Sequence, residues 1–386
     1  MMKRHLLVIG PMPPPIHGES LAIKQLIDSK EVRSAFHLTL INTNRKRTDK
    51  GGKFALSKVF QDIRILVRVL KTVRRNTVDI MYLSLSQSQF GLIRDALLIR
   101  MAGKKTGRII AHLHGNNLKN VLDTMNPLIK RLVLPALEQI ESGIALSRGL
   151  AFNFMNLPNH VTVVPNGIAC DYFTEQEIAE ARGGHPDELF FRILYLSNLM
   201  ETKGFALLIQ AVTDLLEEGL RVELNLAGQI YDRPLFDRVM HEAETAGFKS
   251  NITYLGTVTG ERKKQLLRHA DVMVLPTAYP IEGQPISIIE GMASGLPIIS
   301  TDQGAIPELI GESGIVLKKA SRKSLARAIK EIMGDSDLYR HLSASSRKRF
   351  LEHYTLEHYI GGLIAVFNRG GRDEEKDRIR DQLFLS

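Results

Sequence analysis

Residues Ala278–Pro307 read AYPIEGQPISIIEGMASGLPIISTDQGAIP, and the rest of the chain is organised around them. Glu282 and Glu290 stand eight residues apart, with the bend Gly283-Gln284-Pro285 between them and an apolar run behind. Proline suits a first helical position, because its fixed φ fits the helix and its missing N–H would be unpaired there. The spacing therefore predicts a helix starting near Pro285. Its first turn would leave free amides and the positive end of the helix dipole facing the loop that holds Glu282, a setting that favours anions. Glu290 falls in the second turn. One short segment could then meet a phosphate with amides and hydroxyls with two carboxylates, the combination a sugar nucleotide presents. Taken alone, the stretch also reads as a buried helix start carrying two solvated acids.

Working outward, apolar β-rich runs alternate with helical patterns. Residues 5–10, 37–41, 78–83, 108–114, 143–146 and 161–164 read as one series of strands. A second series follows at 192–196, 221–227, 252–255, 271–275, 297–300 and 314–317. Continuous apolar strands separated by helices mean parallel sheets covered on both faces. The expected fold is α/β, with two doubly wound Rossmann-like domains facing across a cleft. Between the two series, Asp171–Glu188, with Gly183-Gly184 and Pro186, reads as a linker. The expected division is 1–180, 181–352 and a helical segment 353–386 that crosses back to the first domain. Ligands of doubly wound sheets bind at the strand ends, hence in the cleft.

Composition limits the function classes. The 386 residues exceed one ordinary core and suggest two domains. One cysteine, Cys170, excludes an internal disulfide and a multi-cysteine zinc site, and fits a cytoplasmic setting. The start MMKRHLLVIG has too short an apolar run for a signal peptide, and no window reaches the about 18 apolar residues of a spanning helix. Residues 1–172 carry 25 Lys and Arg against 11 Asp and Glu, whereas 173–386 carry 26 against 31, so the excess of base lies wholly in the first half. Within it, Lys58–Arg75 is amphipathic, with Ile63, Leu66, Leu70 and Val73 on one side and Arg64, Arg68, Lys71 and Arg75 on another. That helix, with the run Arg45-Lys46-Arg47, Lys50 and Lys53, reads as a surface for anionic lipid or as the solvated face of a core helix. Nucleic acid is not expected, since tryptophan is absent and no binding module is recognisable.

Other stretches carry candidate site residues. The loop after the first strand, Pro11–Ser20, reaches a helix start at Gly18, where backbone and ligand can approach closely, but it lacks the G-x-G-x-x-G of a dinucleotide site. In RIIAHLHGNN, His112 and His114 share a face of an extended segment, and His114 at the sheet's carboxyl end suits a substrate hydrogen bond or a core role. Lys203, after a strand in LSNLMETKG, suits a diphosphate or a surface turn. Asp335-Ser336-Asp337 reads as a helix cap rather than a metal site.

In this order the pieces resemble the GT-B retaining glycosyltransferases of the class glycosyl transferases group 1 (family 4). The resemblance rests on Glu282 and Glu290 in EGQPISIIEGMASGLPII, supported by VVPNGI, the strand ending in His114-Gly115, ALS at Ser147, and Lys203-Gly204, and spans approximately residues 5–365. It implies that Glu290 holds the nucleotide ribose, that Glu282 and His114 lie by the donor sugar, and that Lys203 neutralises the departing diphosphate. It also implies that amides around Gly283, Gln284 and Ile286, though not Pro285, meet sugar or phosphate, with Gly18 beside phosphates and acceptor. The family's usual arginine is Asn198 here, a substitution that Arg233 or Arg262 would have to offset. Further implied are a UDP- or GDP-linked donor, a glycan acceptor that is lipid-linked, hexosyl or N-acetylhexosaminyl transfer in cell-surface polysaccharide or lipopolysaccharide biosynthesis, and no metal or cofactor. A soluble sugar acceptor, or nucleotide-sugar binding without catalysis, are the alternative readings.

Overall fold

Leu6, Leu7, Val8 and Ile9 have no exposed surface, which places the first strand in the middle of a sheet covered on both faces. The protein is described by a computed structural model covering residues 3–15, 17–44, 54–154, 157, 160–182 and 190–369. The first lobe contains β1 (Arg4–Gly10), β2 (Phe36–Asn42), β3 (Val78–Ser84), β4 (Thr106–Leu113), β5 (Ser142–Ala145) and β6 (His160–Val163). Their order is β2-β1-β3-β4-β5-β6, with every pair parallel. The second lobe contains β7 (Phe191–Leu196), β8 (Val222–Ala227), β9 (Ile252–Tyr254), β10 (Val272–Leu275), β11 (Ile298–Thr301) and β12 (Gly314–Leu317). These are also all parallel, in the order β12-β11-β10-β7-β8-β9.

This topology fixes where ligands go. Strand order reverses between β1 and β3 in one sheet and between β7 and β10 in the other, and the loops leaving those strands open a crevice. Pro11–His17 and Leu85–Ser88 follow β1 and β3, while Ser197–Lys203 and Pro276–Pro285 follow β7 and β10. The stretches singled out in the sequence are therefore largely the loops at the two switch points.

The last described helix, Leu356–Asn368, buries Tyr359, Ile360, Leu363, Val366 and Phe367 in one apolar cluster with Leu6, Val8 and Tyr82 of the first lobe. Gly167 explains part of the VVPNGI motif: a Cβ there would lie 2.2 Å from the Thr355 carbonyl, and Ile168 bridges to Thr355 at that crossing.

Two expectations change. The stretch expected as a linker carries a helix, Glu175–Arg182, whose Glu177 meets Arg268 of the second lobe at 3.3 Å; Gly183, Gly184 and Pro186 lie outside the described residues. The amphipathic helix spans Phe54–Arg75, but its buried stripe is Ile65, Val69 and Val73, with Leu66 and Leu70 half-buried. Ile63 is exposed, together with Phe60 and Val67. The helix carries two apolar stripes, and spacing alone merged them. Arg45, Lys46, Arg47, Lys50 and Lys53 lie outside the described residues, as does the tail from Gly370. No helix among the described residues is long and apolar enough to cross a membrane.

Candidate active site

The helix after the bend runs Ile286–Ala293, with Pro285 as its N-cap in an extended conformation. Ile286 and Ser287 open it, so their amides precede its own hydrogen-bond ladder. Gly18 begins the helix Gly18–Asp28 on the other lobe, and a Cβ placed on it would meet the Ile286 side chain at 3.7 Å. Two helix N-termini thus face one mouth of the crevice. That contact distance is ordinary, so the protein alone does not require glycine at position 18.

Beside this mouth, Lys203 closes a short 3₁₀ turn, Glu201–Lys203, and its Nζ lies 2.5 Å from Glu282 Oε2. Thr277 Oγ1 donates to the same oxygen at 2.9 Å, and the ammonium sits 4.8 Å from the centre of the Tyr279 ring. Gly204 makes the turn possible: it has φ +78°, and any Cβ would lie 2.2 Å from the Pro276 carbonyl. Glu290 is buried in the second turn of its helix and is ion-paired with Lys263. Burial raises the Glu290 pKa, and Lys263 opposes that rise.

Across the crevice, His114 follows β4, and its ring stacks on His112 with centroids 3.9 Å apart. The two do share a face, but among the described residues no group of three potential metal ligands occurs. Burial, assisted by His17, holds the His114 pKa down to about 3, so the ring is neutral near pH 7. Neither His114 ring nitrogen has a hydrogen-bond partner among the described residues, an arrangement that invites a ligand. His112 is committed inward, with Nδ1 2.6 Å from the Tyr82 hydroxyl.

Gly283 joins the lobes. A Cβ at this position would come within 2.3 Å of the His114 carbonyl, and Ala305 donates its amide to the Gly283 carbonyl at 2.9 Å. Gln284 is buried and its side chain is spent on the first lobe: Oε1 accepts from the Asn166 amide at 2.7 Å. The Gln284 carbonyl also accepts from Asn166 Nδ2 at 3.4 Å, which leaves the backbone N–H for a ligand. The Asn198 side chain is exposed, and its carbonyl accepts from the Tyr195 hydroxyl at 2.9 Å. Arg262 is exposed, and Arg233, also exposed, pairs with Asp237 at 3.5 Å. Lys263 is the cation at the site that sequence reasoning missed. It sits in the basic helix Gly260–His269, where nothing in the spacing separates it from Arg262 or Lys264. Asp335 caps the helix Ser336–His353, accepting from Asp337 and Leu338 amides at 3.0 and 2.9 Å.

A cavity of about 420 Å³ continues from His114 into the first lobe, reaching His17, Glu19, Ser84, Gln87 and Arg94 and touching Ile281 beside Glu282. His17, Glu19, Gln87 and Arg94 come from the loops at the β1/β3 switch point and the helices that follow them, Ser84 ends β3, and Ile281 comes from the loop after β10. Sequence reasoning missed Glu19 and Arg94, because neither belongs to a motif.

Two facing Rossmann-like lobes with this paired-acid helix mouth define a GT-B glycosyltransferase. The family glycosyl transferases group 1 matches residues 177–349. Putative glycosyltransferase EpsF of Bacillus subtilis is 30% identical over 290 residues, 71% of each chain. The O-antigen chain mannosyltransferase C of Escherichia coli is 22% identical over 280 residues, 70% of this chain and 71% of that one. Among solved structures, Anabaena HepE in complex with UDP superposes with a TM-score of 0.72 at 16% identity, covering 94% of this chain and 99% of that one. The chain belongs to the glycosyl transferases group 1 family.

Proposed function

We propose that this glycosyltransferase moves a hexosyl or N-acetylhexosaminyl unit, with retention and without a metal, from a UDP- or GDP-linked donor to a lipid-linked glycan at an anionic membrane surface. In this reading residues 1–180 hold the acceptor, 181–352 hold the donor, and 353–386 tie the two together. The carrying observation is the convergence of Lys203, Glu282 and two helix N-termini on one mouth of the cleft.

Charge gives the mechanism. Breaking the sugar–phosphate bond leaves positive charge on the anomeric carbon and negative charge on the diphosphate. In the free protein Lys203 is held on Glu282. A donor diphosphate at the helix mouth draws that ammonium to itself and frees the Glu282 carboxylate for the sugar. Lys203 and the amides of Gly18, Gly283 and Ile286 then stabilise the leaving group, the kind of preorganised electrostatics worth roughly 3 kcal/mol per donor. Glu290 accepts the ribose hydroxyls, and His114, neutral and unpartnered, hydrogen-bonds the donor sugar. Cleft closure excludes water from the reacting atoms. The acceptor enters from the cavity that runs past His114.

A membrane location is supported by the first lobe. Phe60, Ile63 and Val67 lie on the helix Phe54–Arg75, Phe90, Leu97 and Met101 on Gln89–Ala102, and Leu128 and Leu132 on Pro127–Leu137. These eight are most of the thirteen large apolar side chains exposed among the described residues, and the three helices pack side by side. Arg64, Arg68, Lys71 and Arg131 stand among them. Exposed apolar surface fringed by cations suits an anionic bilayer.

The test is nucleotide release from UDP- and GDP-sugars of both anomeric configurations, followed by NMR of the transferred anomer. An α-linked donor should yield an α-linked product with chelator present. An inverted product, or activity lost with chelator and restored by a divalent ion, contradicts the reading.

A further inference from the structure

The cavity of the first lobe is walled by polar groups that mostly serve the protein itself. Asn44 donates to the Met12 and Pro14 carbonyls, the latter at 3.1 Å. Gln87 Oε1 accepts from the Asn117 amide at 2.7 Å. Arg94 spends Nε and Nη2 on Asp95 Oδ1, at 2.9 and 2.7 Å, with Asp62 3.8 Å from Nη1. Glu19 differs. It stands in the first turn of the helix Gly18–Asp28, where its Oε1 accepts from Ser84 Oγ at 2.5 Å. Its Oε2 accepts no hydrogen bond from the described residues. Glu19 is half-buried in the cavity wall, so this oxygen remains open to accept from a ligand hydroxyl.

Among the described residues, the one arginine or lysine lining this cavity is already matched: it is Arg94, paired with Asp95 and Asp62. Glu19 is the one carboxylate that lines the cavity among the described residues. An anionic ligand would have to break a buried pair or sit beside an unscreened carboxylate, whereas a neutral polyol meets no such opposition.

We infer that Glu19 positions the acceptor by taking a hydrogen bond from a sugar hydroxyl on Oε2, and that the acceptor unit seated here is an uncharged sugar rather than a sugar phosphate, a uronate or another anion. The inference rests on the reading of this cavity as the acceptor subsite. Because Ile281 and His114 line the same cavity, a sugar held on Glu19 abuts the place assigned to the donor sugar. Glu19 is a positioning residue, since the hydroxyl it holds is not the one that attacks.

Saturation-transfer NMR on the full chain, saturated with UDP or GDP, tests this. The probes are methyl glycosides of glucose, mannose, galactose and N-acetylglucosamine, set against glucose 6-phosphate and methyl glucuronide. At least one neutral glycoside should bind, and its anionic relative should bind about tenfold more weakly or worse. Glu19→Gln should weaken the neutral sugar about tenfold, while nucleotide affinity and melting temperature stay put. Ser84→Ala, which leaves Oε2 in place, should weaken it less. An anionic sugar binding as well as its neutral parent overturns the inference, as does unchanged sugar affinity in Glu19→Gln or no neutral glycoside binding at all. Failure of the wild-type chain to bind either nucleotide would instead sink the donor reading. Intact nucleotide binding with a failed sugar arm sinks this inference alone.

Discussion

Lys203 Nζ and Glu282 Oε2 stand 2.5 Å apart, joining the loop after β7 to the loop after β10 across the switch point of the second sheet. The pair is mostly buried, with side-chain exposures of 13% and 8%, so neither charge can lose the other cheaply. Lys203→Ala should cost about 3 kcal/mol of stability, the low end for a broken buried pair, because the cleft admits some water. It should also cut donor turnover about 100-fold or more through loss of leaving-group stabilisation. Glu282→Ala should lower turnover far more than nucleotide affinity. Chemical denaturation and donor-hydrolysis rates measure the two effects. A Lys203→Ala protein with wild-type turnover would remove this ion pair from the mechanism.

Glu290 and Lys263 form the second buried pair, and its prediction concerns nucleotide affinity. In the proposed role Glu290 accepts ribose hydroxyls most strongly, and with both oxygens, when ionised. Its pKa lies above the ordinary 4.5 because of burial, so affinity should fall as pH drops through that raised value. Lys263 holds the rise in check. Lys263→Met should therefore move the acid limb of the affinity profile to higher pH, and Glu290→Ala should weaken nucleotide about tenfold or more above that limb, with the difference shrinking below it. For folding the sign is opposite. A raised carboxyl pKa means the folded state holds its proton more tightly, so this group's contribution to stability is greatest below 4.5 and is lost as pH rises through the folded value. Calorimetric titration of nucleotide across pH reads the first effect; an acid limb unmoved in Lys263→Met contradicts the pairing.

His112 and His114 oppose that trend. Burial holds both below the ordinary 6.5, His114 at about 3, so the unfolded chain takes up protons that the folded one refuses. Stability due to His114 is complete above 6.5 and is lost as pH falls toward 3. Replacing His114 with Gln should reduce the slope of stability against pH in that window by about 1.4 kcal/mol per unit. Urea unfolding between pH 4 and 6 measures it. An unchanged slope would mean that the imidazole is protonated in the folded protein.

Much of this architecture is legible in the amino-acid sequence, though unevenly. The strands announced themselves because a parallel strand buried on both faces must be apolar along its whole length, as in Leu6–Ile9. Glu282, Glu290 and Lys203 were readable because each ends or follows such a strand at a fixed spacing. Lys263 and Glu19 were not: a helix face is set by packing, and nothing in GERKKQ or HGESLA says which side chain turns inward. Ile63 was misplaced for the same reason. The motif pointed only to the backbone of Gln284, and nothing in it foretold that the side chain fastens the lobes together.

The exposed apolar face of the first lobe should bring the protein to anionic vesicles. Each basic residue near such a surface contributes about 1 kcal/mol, and the interaction decays over about 8 Å at physiological salt. Binding to vesicles of mixed neutral and acidic lipid should weaken with added salt, and Arg64/Arg68/Lys71→Glu should abolish it. Phe60/Phe90→Ser should weaken it without altering its salt dependence, because those rings contribute burial and not charge. Sedimentation with vesicles at two salt concentrations separates the cases. Equal binding to neutral and acidic vesicles would disprove the assignment.

Gly283 carries the sharpest steric prediction. Its α-carbon packs on the His114 carbonyl so closely that a Cβ would lie 2.3 Å away, and the loop cannot yield, because Gly304, at φ +55°, packs against it from the other side. A Cβ on Gly304 would lie only 2.2 Å from the Glu282 carbonyl, so both glycines hold the same turn between opposing backbones. Gly283→Ala should therefore move the lobes apart at the point where donor and acceptor sites meet. Nucleotide bound within the second lobe, with its ribose on Glu290 as proposed, should bind with little change. Transfer should fall about 100-fold, the scale expected from an ångström of misplacement between reacting groups. Small-angle scattering with and without nucleotide, alongside steady-state rates, reads both consequences. A Gly283→Ala protein that closes normally and keeps its rate would show that the His114 contact is not part of the reactive arrangement.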